Sequence, residues 1–335
     1  MELIKRFCRR YFIDAMSAMA LGLFSSLIIG TILKQFAKIS VLAFLAPLAE
    51  IATNSYVVGA AIGVAIAWGL KEKPLVCFSA AVLGALGYMN GGPVGSYVAA
   101  VVGCEIASLV ASKTKLDILI TPLTAIISGG MVGIYVGPYI NGFMTSLGSF
   151  INSATEYAPI PMGIVISVVV GMVLTAPISS AALCIMIGID GIAAGAAAVG
   201  CACQMVGFAV ASYRDNDLGG ALSIGIGTSM LQFHNILRHP LIWIAPTLAS
   251  AVLGPISTAV LGMTNTSMGA GMGTAGLVGQ FGAFESMSAE YGTAVTLIII
   301  AVMHFILPAV LTLLFDFAGR RLGYIKPGYM KLEKL

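Results

Sequence analysis

Six carboxylates fall inside or beside long apolar runs: Asp14, Glu50, Glu105, Asp190, Glu285 and Asp316. A charge within a bilayer costs about 2.5–3.5 kcal/mol on insertion scales, so each marks either an ion pair or a functional group. Asp14 and Asp316 stand near Arg10 and Arg320 at the ends of apolar runs, which fits pairing at the interface. Glu105 lies in the middle of a run and reads as a helix-packing group. Glu50 and Glu285 differ, because polar groups crowd around both. Ala49-Glu50-Ile51-Ala52-Thr53-Asn54-Ser55 offers a carboxylate, two hydroxyls and the Asn54 amide. Gly279-Gln280-Phe281-Gly282-Ala283-Phe284-Glu285 offers an amide, a carboxylate and two rings. Carboxylates and amides that bond hydroxyls, with rings against C–H faces, are a means of holding a sugar-like solute.

Directly before Gln280 runs Thr264-Asn265-Thr266-Ser267-Met268-Gly269-Ala270-Gly271-Met272-Gly273-Thr274-Ala275-Gly276. Glycine is a poor helix former, and four of them here stand beside four hydroxyls and an amide. The run reads as an unwound loop that offers backbone N–H and C=O groups to a polar ligand. Asn265, Thr266, Ser267, Gly271 and Gly273 are its candidate contacts. A third cluster is Gln232-Phe233-His234-Asn235, followed by Arg238-His239-Pro240. His234 can titrate near neutral pH, and Gln232 and Asn235 could meet a ligand from the cytoplasmic side. Tyr213-Arg214-Asp215-Asn216-Asp217 reads as a solvated turn.

Composition dictates what must position these groups. Of 335 residues, 59% are hydrophobic and 9% charged, with a mean hydropathy of +0.99. Soluble domains carry about 25% charged residues, so a soluble enzyme is excluded. The expectation is a polytopic membrane protein with no soluble domain attached and no cleavable signal peptide. The net charge of +3 gives no reason to expect nucleic acid as a partner. Cys77, Cys104, Cys184, Cys201 and Cys203 all lie in apolar runs and suggest no disulfide framework. Cys201 and Cys203 point about 200° apart on a helix, which fits two buried thiols better than a metal site. The chain contains no Gly-x-Ser-x-Gly, no His-Glu-x-x-His and no Gly-Lys-Ser/Thr phosphate loop. Gly271-x-Gly273-x-x-Gly276 matches a dinucleotide pattern in form alone, since no strand precedes it. No catalytic residue, metal or cofactor is expected.

Runs of about 20 apolar residues predict an all-α protein with ten spans. They lie near 11–33, 55–70, 74–90, 93–112, 118–138, 160–176, 191–212, 218–234, 241–262 and 292–318. The stretches 40–53, 141–157, 177–190 and 263–285 are interrupted and read as re-entrant or broken helices. With the N-terminus inside, 14 Lys and Arg residues fall inside, against Lys34, Lys38 and Arg214 outside. That bias predicts cytoplasmic termini. A shift of 124 residues pairs Gly95 with Gly219, Pro122 with Pro246 and Gly130 with Gly254. It suggests two parallel repeats, about 11–157 and 160–318, in one transmembrane domain, with 319–335 a basic cytoplasmic tail. Gly59-x3-Gly63 and Gly84-x2-Gly87 read as faces of close helix contact.

Tyr11-Phe12-Ile13-Asp14-Ala15-Met16-Ser17-Ala18-Met19-Ala20-Leu21-Gly22-Leu23-Phe24 and Gly271-Met272-Gly273-Thr274-Ala275-Gly276-Leu277-Val278-Gly279-Gln280 carry a resemblance. Through them the chain resembles the small, stand-alone EIIC-like membrane proteins of the bacterial phosphotransferase system, over nearly its whole length. The resemblance implies a sugar-permease-type protein of a bacterial cytoplasmic membrane, dimeric, whose phosphocarrier partners would be separate proteins. Gly282-Ala283-Phe284-Glu285 is a loose echo of the glutamate motif in glucose-type permeases.

Three readings follow. The first is a transporter that binds a small polar, sugar-like solute at midplane and moves it by alternating access. The second is a solute sensor that signals to a cytoplasmic partner through the basic tail. The third is a secondary transporter coupled to Na⁺ or H⁺ through Glu50 or Glu105.

Overall fold

The structure, a computed structural model, describes Phe7 and residues 9–37, 40–113, 115–176 and 179–332. Lys5, Arg6, Lys38 and Lys334 of the charge count, and 177–178 of the interrupted stretch 177–190, lie outside the described residues. All regular structure among the described residues is helical. Six helices are long and apolar enough to cross a membrane, or seven if one bent pair counts as a single span. The chain divides into two compact units, Met1–Ser146 and Leu147–Leu335.

The first unit holds α1 (Arg9–Lys34), α2 (Ser40–Ala52), α3 (Ser55–Gly69), α4 (Pro74–Val110), α5 (Asp117–Tyr135) and the start of α6 (Gly137–Tyr157). Helices α2 and α3 meet at 63°. Asn54 caps the second of them, its Oδ1 accepting from the Tyr56 N–H at 3.0 Å. Helix α4 folds back on itself. Gly92 adopts φ +60°, ψ −156°, and Pro93 brings no N–H to mend the ladder. A Cβ at Gly103 would stand 2.6 Å from Leu83 Cδ1, whereas a straight helix would hold these residues about 30 Å apart. The two predicted runs 74–90 and 93–112 are therefore two antiparallel arms. The predicted glycine face is also present: a Cβ at Gly63 would sit 2.0 Å from the Ala80 carbonyl oxygen, and one at Gly84 2.1 Å from that of Gly59.

Glu105, expected to pack within a helix bundle, is instead ion-paired, and its partner is Arg10, which the sequence sets beside Asp14. Arg10 Nε donates to Glu105 Oε1 at 2.8 Å, and Arg10 Nη2 pairs with Glu72 at 2.9 Å. Glu72 lies in the turn after α3, where burial first and the Glu105 charge second raise its pKa, against the pull of Arg10. The folded protein thus holds this proton to higher pH than the unfolded chain. The resulting stability is full below the ordinary glutamate pKa of about 4.3 and is lost as pH rises through the raised folded value. Glu72→Gln is expected to flatten that segment of the melting-temperature profile. An unchanged slope from pH 4.3 upward would contradict the assignment.

The second unit is built around α9 (Gly191–Ala211), which is almost entirely buried. Before it come α7 (Pro159–Thr175) and α8 (Ser180–Ile187); after it come α10 (Leu218–Gly227), α11 (Pro240–Val260), α12 (Val278–Tyr291) and α13 (Thr293–Arg321). Helices α7, α11 and α13 pack on α9, whose run of Ala, Gly and Cys lets backbones approach closely. A Cβ at Gly200 would stand 2.0 Å from the Ser167 carbonyl oxygen of α7. Cys201 and Cys203 are fully buried in different apolar clusters, as their spacing implies.

Hydrogen bonds fix which helix ends share a face. The Ala211 carbonyl at the end of α9 accepts from Arg320 at the end of α13, at 3.1 Å. Asp215 accepts from the Gly328 and Met330 N–H groups, and Asn235 donates to the Lys331 carbonyl. Residues 211–217, 235–239 and 320–332 therefore lie on one face, here called the basic face. Arg214 belongs to this face together with Arg320, a correction to its predicted place outside. The segment 218–234 is corrected with it, because it leaves the basic face and returns there without crossing. At Thr228 (φ −162°) the helix breaks into an extended residue, then a short 3₁₀ turn and the helix Phe233–Arg238.

On the opposite face, Thr258 donates to the Pro159 carbonyl at 2.6 Å and Asn265 N–H to the Gly191 carbonyl at 3.1 Å. Helices α7 and α8 begin and end there, so 160–176 does not reach the basic face either. The 124-residue shift lays the continuous α6 over the broken 261–281, and the second arm of α4 over the broken 217–234. At these two places a continuous helix is overlaid on one that is interrupted, at Thr228 in one pair and on either side of Ser267–Ala270 in the other.

Candidate functional site

The Gly-rich run is a re-entrant loop, as its composition predicts. It enters beside Gly191 through an isolated antiparallel bridge to Asn265. Fully buried, Asn265 holds the entrance: its Nδ2 donates to the Gly279 carbonyl at 2.9 Å and its Oδ1 accepts from Thr266 N–H at 2.8 Å. Thr266 caps the short turn Ser267–Ala270 by accepting from Gly269 N–H, and Ser286 donates to Thr264 Oγ1 at 2.7 Å. Deeper in, Ser180 Oγ donates to the Gly271 carbonyl at 2.6 Å. A Cβ at Gly273 would lie 2.7 Å from the Cys201 carbonyl carbon. Cys201 is ten residues into α9, about 15 Å along its axis and half of a bilayer core about 30 Å thick. The loop thus reaches the middle of the unit.

Two features close the loop tip. Gly276 and Leu277 both adopt left-handed backbone, with φ +53° and +60°, which reverses the chain into α12. The Thr274 hydroxyl donates to the Gly225 carbonyl of α10. A broken helix from the basic face and a loop from the other face therefore meet in the core. Beside them runs a buried polar chain. Ser229 bonds Thr175 at 2.9 Å, Thr175 donates to Gln204 Oε1 at 3.3 Å, and Gln204 also accepts from Trp243 Nε1 at 3.0 Å and donates from Nε2 to Thr247 at 3.2 Å.

Gln280 stands at the start of α12, where the loop ends. Its Nε2 donates to His304 Nδ1 at 2.9 Å. His304 is fully buried in α13, within the π-helical turn Val302–Ile306. The cause is local: Pro308 lacks the N–H that would bond the His304 carbonyl four residues back. With Nδ1 accepting, the neutral ring carries its proton on Nε2. His304 Nε2 and Gln280 Oε1 are both buried and have no hydrogen-bond partner among the described residues. The pair presents one unused donor and one unused acceptor, the complement of a hydroxyl group, which can both accept and donate.

The structure brings Asn265, Thr266, Ser267, Gly271, Gly273 and Gln280 into one loop, but Asn265, Gly271 and Gly273 are spent on seating it. Glu285 is half-buried on α12, five residues from Gln280 and so about 140° round the helix. Glu50 and Asn54 are exposed in the first unit. Gln232 and Asn235 clamp the C-terminal segment: Gln232 Nε2 donates to the Met330 carbonyl at 2.8 Å, and Asn235 Nδ2 donates to Gln232 Oε1 at 2.8 Å. His234 beside them is exposed. The segment is further held by His239 stacked on Tyr329 at 3.7 Å and by fully buried Met330. Among the described residues no group of three or more His, Cys, Asp or Glu could hold a metal ion. Asp316 pairs with Arg320 at 2.7 Å, as expected.

His304, Gln204 and the Thr274 contact did not emerge from the sequence reading. The signal for His304 was present, as a histidine in an apolar span four residues before a proline.

Membrane-length helices, with a loop and a broken helix that meet in the core of the second unit beside buried polar groups, describe a multi-pass membrane protein. The family described as "Phosphotransferase system, EIIC" matches residues 13–332, and the chain belongs to it. EIIC proteins are the membrane transport component of that system and are not catalytic by themselves. No curated protein and no solved structure matches the chain.

Proposed function

We propose that this protein is an EIIC-type permease that binds a small, hydroxyl-bearing, sugar-like solute at the tip of the re-entrant loop. One observation carries the reading: the unused donor of His304 and the unused acceptor of Gln280, both buried, on two hydrogen-bonded side chains where the loop ends. Leaving such groups unpaired costs about 1–3 kcal/mol each, a cost that a bound hydroxyl removes. Ser267 and Thr266 line the path toward them from the loop, with Glu285 further along α12.

Access alternates between the faces. Release of the Thr274–Gly225 contact opens one side of the core, and movement of the loop opens the other. The basic face is cytoplasmic, because every described Lys and Arg of the second unit lies on it. The C-terminus is then cytoplasmic; the positive charge near the N-terminus assigns that end to the cytoplasm as well, in a bacterial cytoplasmic membrane, and the protein works as a homodimer with separate phosphocarrier proteins.

The test is counterflow in proteoliposomes holding the full chain. Sugars, polyols and sugar acids are compared with amino acids and nucleosides. Saturable counterflow of a hydroxyl-rich solute is expected. Saturable flux confined to amino acids or nucleosides, or no flux from folded protein, would contradict the proposal.

A further inference from the structure

A second feature of this unit is independent of any solute. Between the end of α9, α10 and α13 runs a groove open at the protein surface. Its larger part, about 510 Å³, is walled by Val206, Ala209, Leu222, Ile226, Phe305 and Leu313. Its smaller part, about 370 Å³, shares Val210, Arg214 and Leu313 with the first and reaches Asp316 and Arg320. Polarity is segregated along it: the wall from Val206, Ala209, Leu222, Ile226 and Phe305 is apolar, and the charged groups Arg214, Asp316 and Arg320 stand toward the basic face.

The charges there are not equivalent. Arg320 is tied to Asp316 at 2.7 Å and to the Ala211 carbonyl, and Asp215 is occupied by two backbone N–H groups of the C-terminal segment. Arg214 is exposed and makes no hydrogen bond with a described residue; it acts on the Asp316 carboxylate through its charge alone. Tyr213 lies next to it in the groove wall, a residue type favoured at the level of lipid headgroups. A long apolar trough with one exposed guanidinium at its interfacial end, not held by a hydrogen bond, complements one chemistry, an acyl chain that carries a phosphate.

The geometry points to a binding site for an anionic phospholipid, with the phosphate on Arg214 and Tyr213 and an acyl chain along α10 and α13. Occupancy bears on the core. The groove wall includes Gly225, whose carbonyl holds the Thr274 hydroxyl of the re-entrant loop, and Phe305, the neighbour of His304. A chain packed here supports α10 from behind and keeps the loop tip latched.

The test uses the full chain purified in non-ionic detergent, with phosphatidylglycerol or phosphatidylcholine added and retained lipid counted by native mass spectrometry. Phosphatidylglycerol should be retained in preference. Arg214→Gln should weaken its retention about fivefold, the size expected for one interfacial arginine. Leu313→Trp, which fills the groove at an exposed position, should displace both lipids. Hydrogen exchange at 222–228 and 272–280 should slow when phosphatidylglycerol is present. Equal retention of the two lipids, unchanged retention in Arg214→Gln, or a lipid-free dimer that buries this face would overturn the proposal. Unchanged exchange with bound lipid would overturn the link to the loop.

Discussion

Gly273→Ala is expected to unseat the re-entrant loop, lowering stability by about 2–4 kcal/mol and abolishing solute binding. Two independent costs combine at this position. Its φ is +53°, a region where an L side chain pays about 1–2 kcal/mol. The new Cβ would also meet the backbone of Cys201 and Ala202 at 2.7–2.9 Å, in a helix that cannot retreat, and overpacking costs about 1–3 kcal/mol. The damage would spread along the chain, because the Gly273 carbonyl accepts from Gly279 N–H at 3.1 Å and Gln280 follows directly. Gly142→Ala is the matched control. Nothing lies within 4 Å of its would-be Cβ, so that change should gain about 0.5–1 kcal/mol of helix stability. Melting temperatures of the two variants, measured in one detergent, check the contrast. Equal effects would mean that the loop is not seated against α9.

The second large effect separates stability from binding. In Gln280→Met/His304→Leu, two buried polar side chains with an unused atom each become apolar groups of similar size. Replacing both partners of a buried pair is close to neutral or stabilising, so the melting temperature should hold or rise. Affinity for the hydroxyl-bearing solute should fall about 10- to 100-fold, the loss of two hydrogen bonds at about 1 kcal/mol or slightly more each. The single change His304→Leu should behave differently. It strands the Gln280 amide and should cost about 1–3 kcal/mol of stability. A purely structural pair would show the reverse pattern, with the double variant destabilised and affinity unchanged.

Much of this architecture is legible in local chemistry. Glycines at 269, 271, 273 and 276 beside hydroxyls cannot make a stable spanning helix, and they form the loop. Gly92-Pro93 separates two apolar arms because neither residue sustains a helix there. Asp316 and Arg320 pair because they sit four residues apart on one helix. Topology was harder to read, and for a physical reason. Hydropathy measures whether a segment prefers lipid, not whether it reaches the far side. The segments 160–176 and 218–234 are apolar enough to be read as crossings, yet each re-enters. The two miscounts cancel in parity, so Arg238 and Arg320 were still placed together while Arg214, between them, was put on the wrong face. His304 escaped attention because a lone polar residue in an apolar span carries no spacing pattern. Its meaning comes from Gln280, 24 residues away and joined to it only by folding. For the same reason Glu285 looked like a partner of Gln280 in the sequence, while the helix turns the two apart.

The central claim is that the Gln280–His304 pair holds the solute, and an affinity measurement tests it most directly. The solute that shows counterflow would be titrated calorimetrically into the wild-type protein and into Gln280→Met/His304→Leu, both in the same detergent and both with melting temperature recorded. A weakening of about 10- to 100-fold with the melting temperature held or raised is the predicted result. Unchanged affinity in the folded double variant would contradict the claim and move the site away from the loop tip.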